Sequence, residues 1–185
     1  MALILIRPFF RIKYIGRENV PKSGFVLCSN HISYFDPVIL GFGFRRKIHF
    51  MAKSEFFTGR GFFVSFFMKA CGVFPVKRNS ADLKSADKAS ELLSAGKIVG
   101  IFPQGKIVRK IDSFEPKAGA ALIAAKTGAG IIPVSIYTEG KIRLFSRITV
   151  RISEPFYTEG ATLRDARAAA IKLKEIITRN LEEKL

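Results

Sequence analysis

Short apolar runs alternate along this chain with longer stretches of helical periodicity, and that alternation restricts the fold more than any other feature of the sequence. Phe25–Ser29 is an apolar run bounded by Gly24 and Asn30, as expected of a buried strand. Asp36-Pro37 then reads as a helix start, with Asp as N-cap and Pro at the first helical position, opening residues 38–44. Residues 47–52 predict a second strand, and the Phe-rich segment after it a helix reaching Cys71-Gly72. Over residues 80–95, Leu83, Ala86, Ala89, Leu92 and Leu93 recur with charges between them, an amphipathic helix closed by Gly96. A buried strand over 98–102 follows, then an Ala-rich helix over 117–127 ending at Gly128, then a strand over 131–137. Ile148, Val150 and Ile152 alternate with Thr149 and Arg151 as in a half-exposed strand, and Thr162-Leu163-Arg164-Asp165 is a capping box opening a C-terminal helix over 162–184. The pattern predicts a single α/β domain over residues 1–185, its mostly parallel or mixed sheet covered by helices on both faces.

Composition limits the chemistry. With 185 residues, 48% of them hydrophobic, the chain can bury a core without disulfides or metals. Cys28 and Cys71 are too few for a disulfide scaffold or a four-cysteine zinc site and are expected as buried thiols. His31 and His49 are the only histidines, which argues against multi-histidine metal catalysis, and no metal or cofactor is expected. The balance of 31 Lys and Arg against 15 Asp and Glu gives a net charge of +16, a field that attracts phosphate on nucleic acid, on an anionic membrane or on a substrate. The opening Met1-Ala2-Leu3-Ile4-Leu5-Ile6 meets Arg7 and Pro8, too short a run to span a bilayer and unlike a secretory signal, so a cytoplasmic location is expected. Phe56, Phe57, Phe62, Phe63, Phe66 and Phe67, with Arg60 among them and Lys53 and Lys69 at the flanks, suit rings at the acyl boundary and cations at lipid headgroups. At least half of these rings are expected in a core instead. Together these features lead us to expect a cytoplasmic chain, peripheral on the inner face of the cell membrane.

Asn30-His31-Ile32-Ser33-Tyr34-Phe35-Asp36 puts a histidine and an aspartate at the junction of the first buried strand and its helix. On a continuous helix the two would lie about 140° apart, but across a turn they can meet. With His31 leaving a strand and Asp36 capping a helix, the carboxylate can accept from one ring nitrogen while the other faces the crevice as a base. This is the orienting logic of a serine protease's His and Asp, with a substrate hydroxyl in the place of the serine.

Further pieces follow in order: Gly72-Val73-Phe74-Pro75-Val76-Lys77-Arg78, then Phe102-Pro103-Gln104-Gly105, then Ile131-Ile132-Pro133-Val134. With the His31 to Asp36 segment, they resemble the four ordered blocks of the glycerolipid acyltransferase family, and within it the 1-acyl-sn-glycerol-3-phosphate acyltransferases. The lead-in Gly16-Arg17-Glu18-Asn19-Val20-Pro21 and the pair Ala52-Lys53 extend the similarity to residues 12–137. The resemblance implies that His31 takes the proton from an acceptor hydroxyl, which attacks the thioester of acyl-CoA or acyl-carrier protein while Asp36 orients the imidazole. It implies that Arg78 and Lys53 hold the acceptor's phosphate and that Phe102, Pro103, Gln104 and Gly105 line the acceptor pocket. Such a phosphate suits a guanidinium, a point charge and backbone amides at a Gly turn.

The third block departs from the family, which usually carries Phe-Pro-Glu-Gly-Thr-Arg where this chain has Phe102-Pro103-Gln104-Gly105-Lys106-Ile107. Gln104 is nearly isosteric with Glu, lacks its charge and can donate as well as accept. Lys106 or Arg109 can restore positive charge but Lys has no bidentate geometry. The implied product is phosphatidic acid from lysophosphatidic acid, with another lysophospholipid or glycerol 3-phosphate as alternative acceptors. A weakly active or non-catalytic lipid-binding relative is the nearest alternative. A basic nucleic-acid-binding module, with Phe stacking on bases, is the alternative from another class. Dispersed basic residues and the lack of a helix-turn-helix or RNP-like strand argue against it, so no nucleic-acid partner is expected.

Overall fold

A computed structural model describes residues 11–44, 46–53, 73–76, 83–108, 114–143 and 145–183. The strands are β1 (Arg11–Ile15), β2 (Phe25–Ser29), β3 (Ile48–Lys53), β4 (Phe74–Val76), β5 (Ile98–Ile101), β6 (Gly130–Thr138) and β7 (Arg147–Ile152). The helices are α1 (Asp36–Gly43), α2 (Leu83–Ser94), α3 (Gly119–Thr127) and α4 (Leu163–Glu182). All five residues of β2 are buried, and a strand so placed needs a neighbour on each edge and cover on each face. Its neighbours are β5 and β6, both parallel to it. The full order is β1-β7-β6-β2-β5-β3-β4, mixed because β7 runs antiparallel to β6 and carries β1 parallel to itself.

Side-chain alternation along β2 splits the core in two. Val26 and Cys28 join Ala89 and Leu93 of α2, Ala121 and Ala124 of α3, and Leu173 and Ile177 of α4 on one face. Phe25 and Leu27 join Ile39 and Leu40 of α1 on the other. The alanines of α3 let that helix sit close against β2, which is what its Ala-rich sequence anticipates. Asn180 of α4 donates to Ser135 Oγ at 3.1 Å and Ser153 Oγ at 2.9 Å, a buried polar tie that fixes the long helix over β6.

The helices and strands expected within the described residues are present, their ends coinciding with the expected ones or shifted by up to three residues. The capping box at Thr162 forms, its hydroxyl accepting from Asp165 N at 3.2 Å while Asp165 Oδ2 accepts from Thr162 N at 3.0 Å. One expectation is corrected. Asp36 is not the N-cap of α1: that position is Phe35, and Asp36 is the first helical residue. Its carboxylate is engaged elsewhere, as shown below. Strands β1 and β4 were not anticipated: β1 does carry the alternation of a half-exposed strand, Arg11 and Lys13 against Ile12 and Tyr14, which the sequence reading missed, whereas β4 has only three residues. The expected Phe-rich helix, with Cys71 and Gly72, lies outside the described residues. Among the described residues no helix is long and apolar enough to cross a membrane.

Candidate active site

Because β2, β3, β5 and β6 are parallel, their carboxyl ends share one edge of the sheet, where α/β folds bind their ligands. His31 stands two residues past β2, Phe102 directly past β5, Lys53 at the end of β3 and Thr138 at the end of β6.

The turn between β2 and α1 is short enough to fold Asp36 back onto His31. Imidazole Nδ1 and Asp36 Oδ2 are 2.7 Å apart, with the carboxyl side chain wholly buried and the imidazole 16% exposed. A carboxylate only accepts, so the hydrogen bond assigns the proton to Nδ1 and leaves the Nε2 lone pair available. The same Oδ2 accepts from the Ile32 amide at 2.7 Å and the Ser33 amide at 2.9 Å. Three donors converging on one oxygen fix the carboxylate's plane. Ser33 also binds the turn together, its carbonyl accepting from Asp36 N at 3.2 Å and its hydroxyl from Phe35 N at 3.2 Å. The His31 carbonyl accepts from Val108 N at 2.7 Å, which anchors the backbone at His31 to the segment beyond β5.

The imidazole face is set by an aromatic column. Phe102 stacks on His31 with ring centroids 4.1 Å apart and planes 17° apart, and Phe50 stacks on Phe102 at 5.5 Å and 6°. The stack fixes the plane of the imidazole. Gly100 makes the column possible: a Cβ there would lie 2.5 Å from the Phe50 ring and 2.7 Å from Ile48 Cγ2. After Phe102 the chain turns through Gly105, whose φ of +70° is the left-handed conformation that glycine adopts without strain. The turn closes with Gly105 N donating to the Phe102 carbonyl at 2.9 Å, and Lys117 N donates to the Pro103 carbonyl at 3.0 Å.

Of the residues singled out from sequence, His31, Asp36 and Phe102 are brought into one cluster. Phe102 stacks on the imidazole itself. Pro103 and Gln104 are buried, Gly105 is half-buried and Lys106 is exposed. Gln104 lines a cavity of about 230 Å³ together with Asn30, Ile32, Val108, Ile136 and Thr138, and His31 is not among its walls. Lys53 pairs with Val76 through the β3/β4 ladder, and Arg78 and Arg109 lie outside the described residues. Sequence reasoning missed Phe50 and Gly100. Their signal was the glycine inside a buried strand, which often marks close approach of another group.

Two further titratable groups differ from their ordinary behaviour. Burial pushes the Cys28 thiol up to about 12, so it stays a protonated core residue. His49 is held below its usual range, first by burial and then by the positive charges of Lys47, Lys97 and Lys88.

An α/β sheet with a hydrogen-bonded His-Asp pair at its carboxyl edge, the carboxylate wholly buried, defines a class, and likeness to known proteins gives it a family. The sequence pattern of the acyltransferase family matches residues 11–137, and the chain belongs to that family. It is 29% identical to the 1-acyl-sn-glycerol-3-phosphate acyltransferase of Bacillus subtilis over 93% of this chain and 87% of that protein. It is 35% identical to the enzyme of the same name from Borreliella burgdorferi over 69% of this chain, spanning about half, 51%, of that relative's length. The crystal structure of a 1-acyl-sn-glycerophosphate acyltransferase from Thermotoga maritima superposes with a TM-score of 0.72 at 25% identity, covering 98% of this chain and 79% of the other.

Proposed function

We propose that the protein transfers a fatty acyl group from a thioester donor, acyl-CoA or acyl-carrier protein, to the free hydroxyl of lysophosphatidic acid, giving phosphatidic acid for phospholipid biosynthesis. The observation that carries this reading is the His31 Nδ1 to Asp36 Oδ2 bond of 2.7 Å, which leaves Nε2 as a base within the acyltransferase blocks. The names of the relatives support the acceptor.

In the proposed reaction Nε2 removes the hydroxyl proton as the oxygen attacks the thioester carbonyl. A C–O bond forms, the C–S bond breaks, and the imidazolium returns its proton to the departing thiolate. No acyl-enzyme forms. The buried Asp36 carboxylate stabilises the imidazolium without taking the proton. Lys53, Arg78 and Lys106 are proposed to neutralise the acceptor's phosphate, with Gln104 and Gly105 completing its site. The net charge of +16 would hold the protein at the anionic inner face of the membrane, where its lipid substrate lies.

The test is transfer from labelled acyl-CoA and labelled acyl-carrier protein to lysophosphatidic acid, glycerol 3-phosphate and other lysophospholipids in micelles. His31→Ala should lower the rate by about 10²–10⁴, the usual contribution of a general base. Retained turnover in that variant would remove His31 as the base, and a preferred acceptor other than lysophosphatidic acid would overturn the substrate assignment.

A further inference from the structure

Asn30 lies just beyond β2, yet its side chain takes the place of strand backbone. The β2/β6 ladder runs in register from Phe25 opposite Gly130 to Ser29 opposite Val134. Carried two residues further, parallel geometry would have Ile136 N–H donate to the Asn30 carbonyl and the Ile136 carbonyl accept from Ile32 N–H. The Asn30 carboxamide occupies both places. Its Oδ1 accepts from Ile136 N at 2.8 Å and its Nδ2 donates to the Ile136 carbonyl at 2.9 Å. The Ile32 amide donates instead to Asp36 Oδ2 at 2.7 Å.

A carboxamide matches a peptide group, offering one acceptor and one donor in the same plane. Asp has the acceptor without the donor, Ser and Thr have a single polar atom, and Gln is one methylene too long. Asn30 is only 3% exposed, so both of its bonds to Ile136 are made away from bulk solvent.

We infer that Asn30 is a positioning residue for the His31 base: by completing the β2/β6 ladder with its side chain, it lets the main chain leave the sheet at His31 and frees the Ile32 amide to hold Asp36. The inference rests on the proposed role of His31. It predicts that Asn30 acts through Asp36 and not through substrate affinity.

Asn30→Ala, Asn30→Asp, Asp36→Asn and the Asn30→Ala/Asp36→Asn double variant should be compared below their unfolding midpoints, with rates expressed per folded molecule. Asn30→Ala is expected to lower kcat by about tenfold to a hundredfold, the loss typical of a misplaced catalytic group, with KM for lysophosphatidic acid within about threefold. The double variant should be no slower than Asp36→Asn alone. Hydrogen exchange at the Ile32 amide should accelerate in Asn30→Ala while that of Leu27, deep in β2, does not. Unchanged kcat, a loss confined to KM, or additive losses in the double variant would overturn the inference. If Asn30→Ala does not fold, the isosteric Asn30→Asp should show the same kcat loss, and wild-type turnover there would overturn it equally. Turnover that survives His31→Ala would sink the base itself, whereas the Ile32 exchange rate still decides the geometry assigned to Asn30.

Discussion

His31 and Asp36 are five positions apart and meet because a turn, not a helix, joins them. Asp36→Asn keeps the shape but can offer an amide donor to Nδ1, so it should favour the wrong tautomer and lower kcat by at least about tenfold. A rate equal to wild type would leave Asp36 as part of the turn alone. Gln104→Glu tests the departure in the third block: a large gain with lysophosphatidic acid would mark the glutamine as a specificity change, and an unchanged rate would show that the amide suffices. His49 has a pH signature of its own. Its folded-state affinity for protons lies below the reference value of 6.5, so near and below that pH the unfolded chain binds more protons. Stability should therefore fall as pH drops through 6.5, and His49→Gln should flatten that dependence in urea titrations. The pairing of His31 with Asp36 was legible from residue type and spacing. The three donors on Asp36 Oδ2 were not, because two are main-chain amides that every residue carries.

Among the elements, β5 shows how a strand can position a site without contributing a functional side chain. Gly100 leaves room for Phe50 of β3, whose ring supports Phe102 against His31. Gly100→Ala forces that ring aside and should destabilise the fold by about 1–3 kcal/mol, as overpacking does. A fall in kcat should accompany it, measured below the shifted Tm; full activity would show that the imidazole needs no aromatic support. At the other end of the chain, Thr162→Ala removes the hydroxyl that caps α4 and should cost about 0.5–2 kcal/mol in urea unfolding without changing kcat. That cap was readable because a capping box is local: four consecutive residues contain all of its partners. The Phe50–Phe102–His31 column joins three segments far apart in sequence, and no local pattern announces it.

Across the whole molecule, charge and topology answer different questions. The charge of +16 predicts that binding to vesicles of anionic phospholipid weakens as salt rises from about 0.05 to 0.5 M, since the Debye length shrinks severalfold over that range. Sedimentation with zwitterionic vesicles is the control, and equal binding to both surfaces would count against an electrostatic attachment. The alternation of apolar runs and helical stretches set the α/β class, because burial on both faces demands continuous apolar strands and one-sided helices. Strand order was not legible. β5 lies between β2 and β3 although it follows both in the chain, and β1 pairs with β7 across nearly the full sheet sequence. By itself, the sequence determined the kinds of element and the His-Asp pair, each carried by residues close together in the chain, and the acyltransferase pattern, whose blocks are each local and whose order is read directly along the chain. Only the tertiary structure decided which strand ends meet, that Asn30 completes the ladder of β6, and that Phe102 lies flat on the His31 ring. Those relations depend on long-range register and packing, which arise when distant segments share one core.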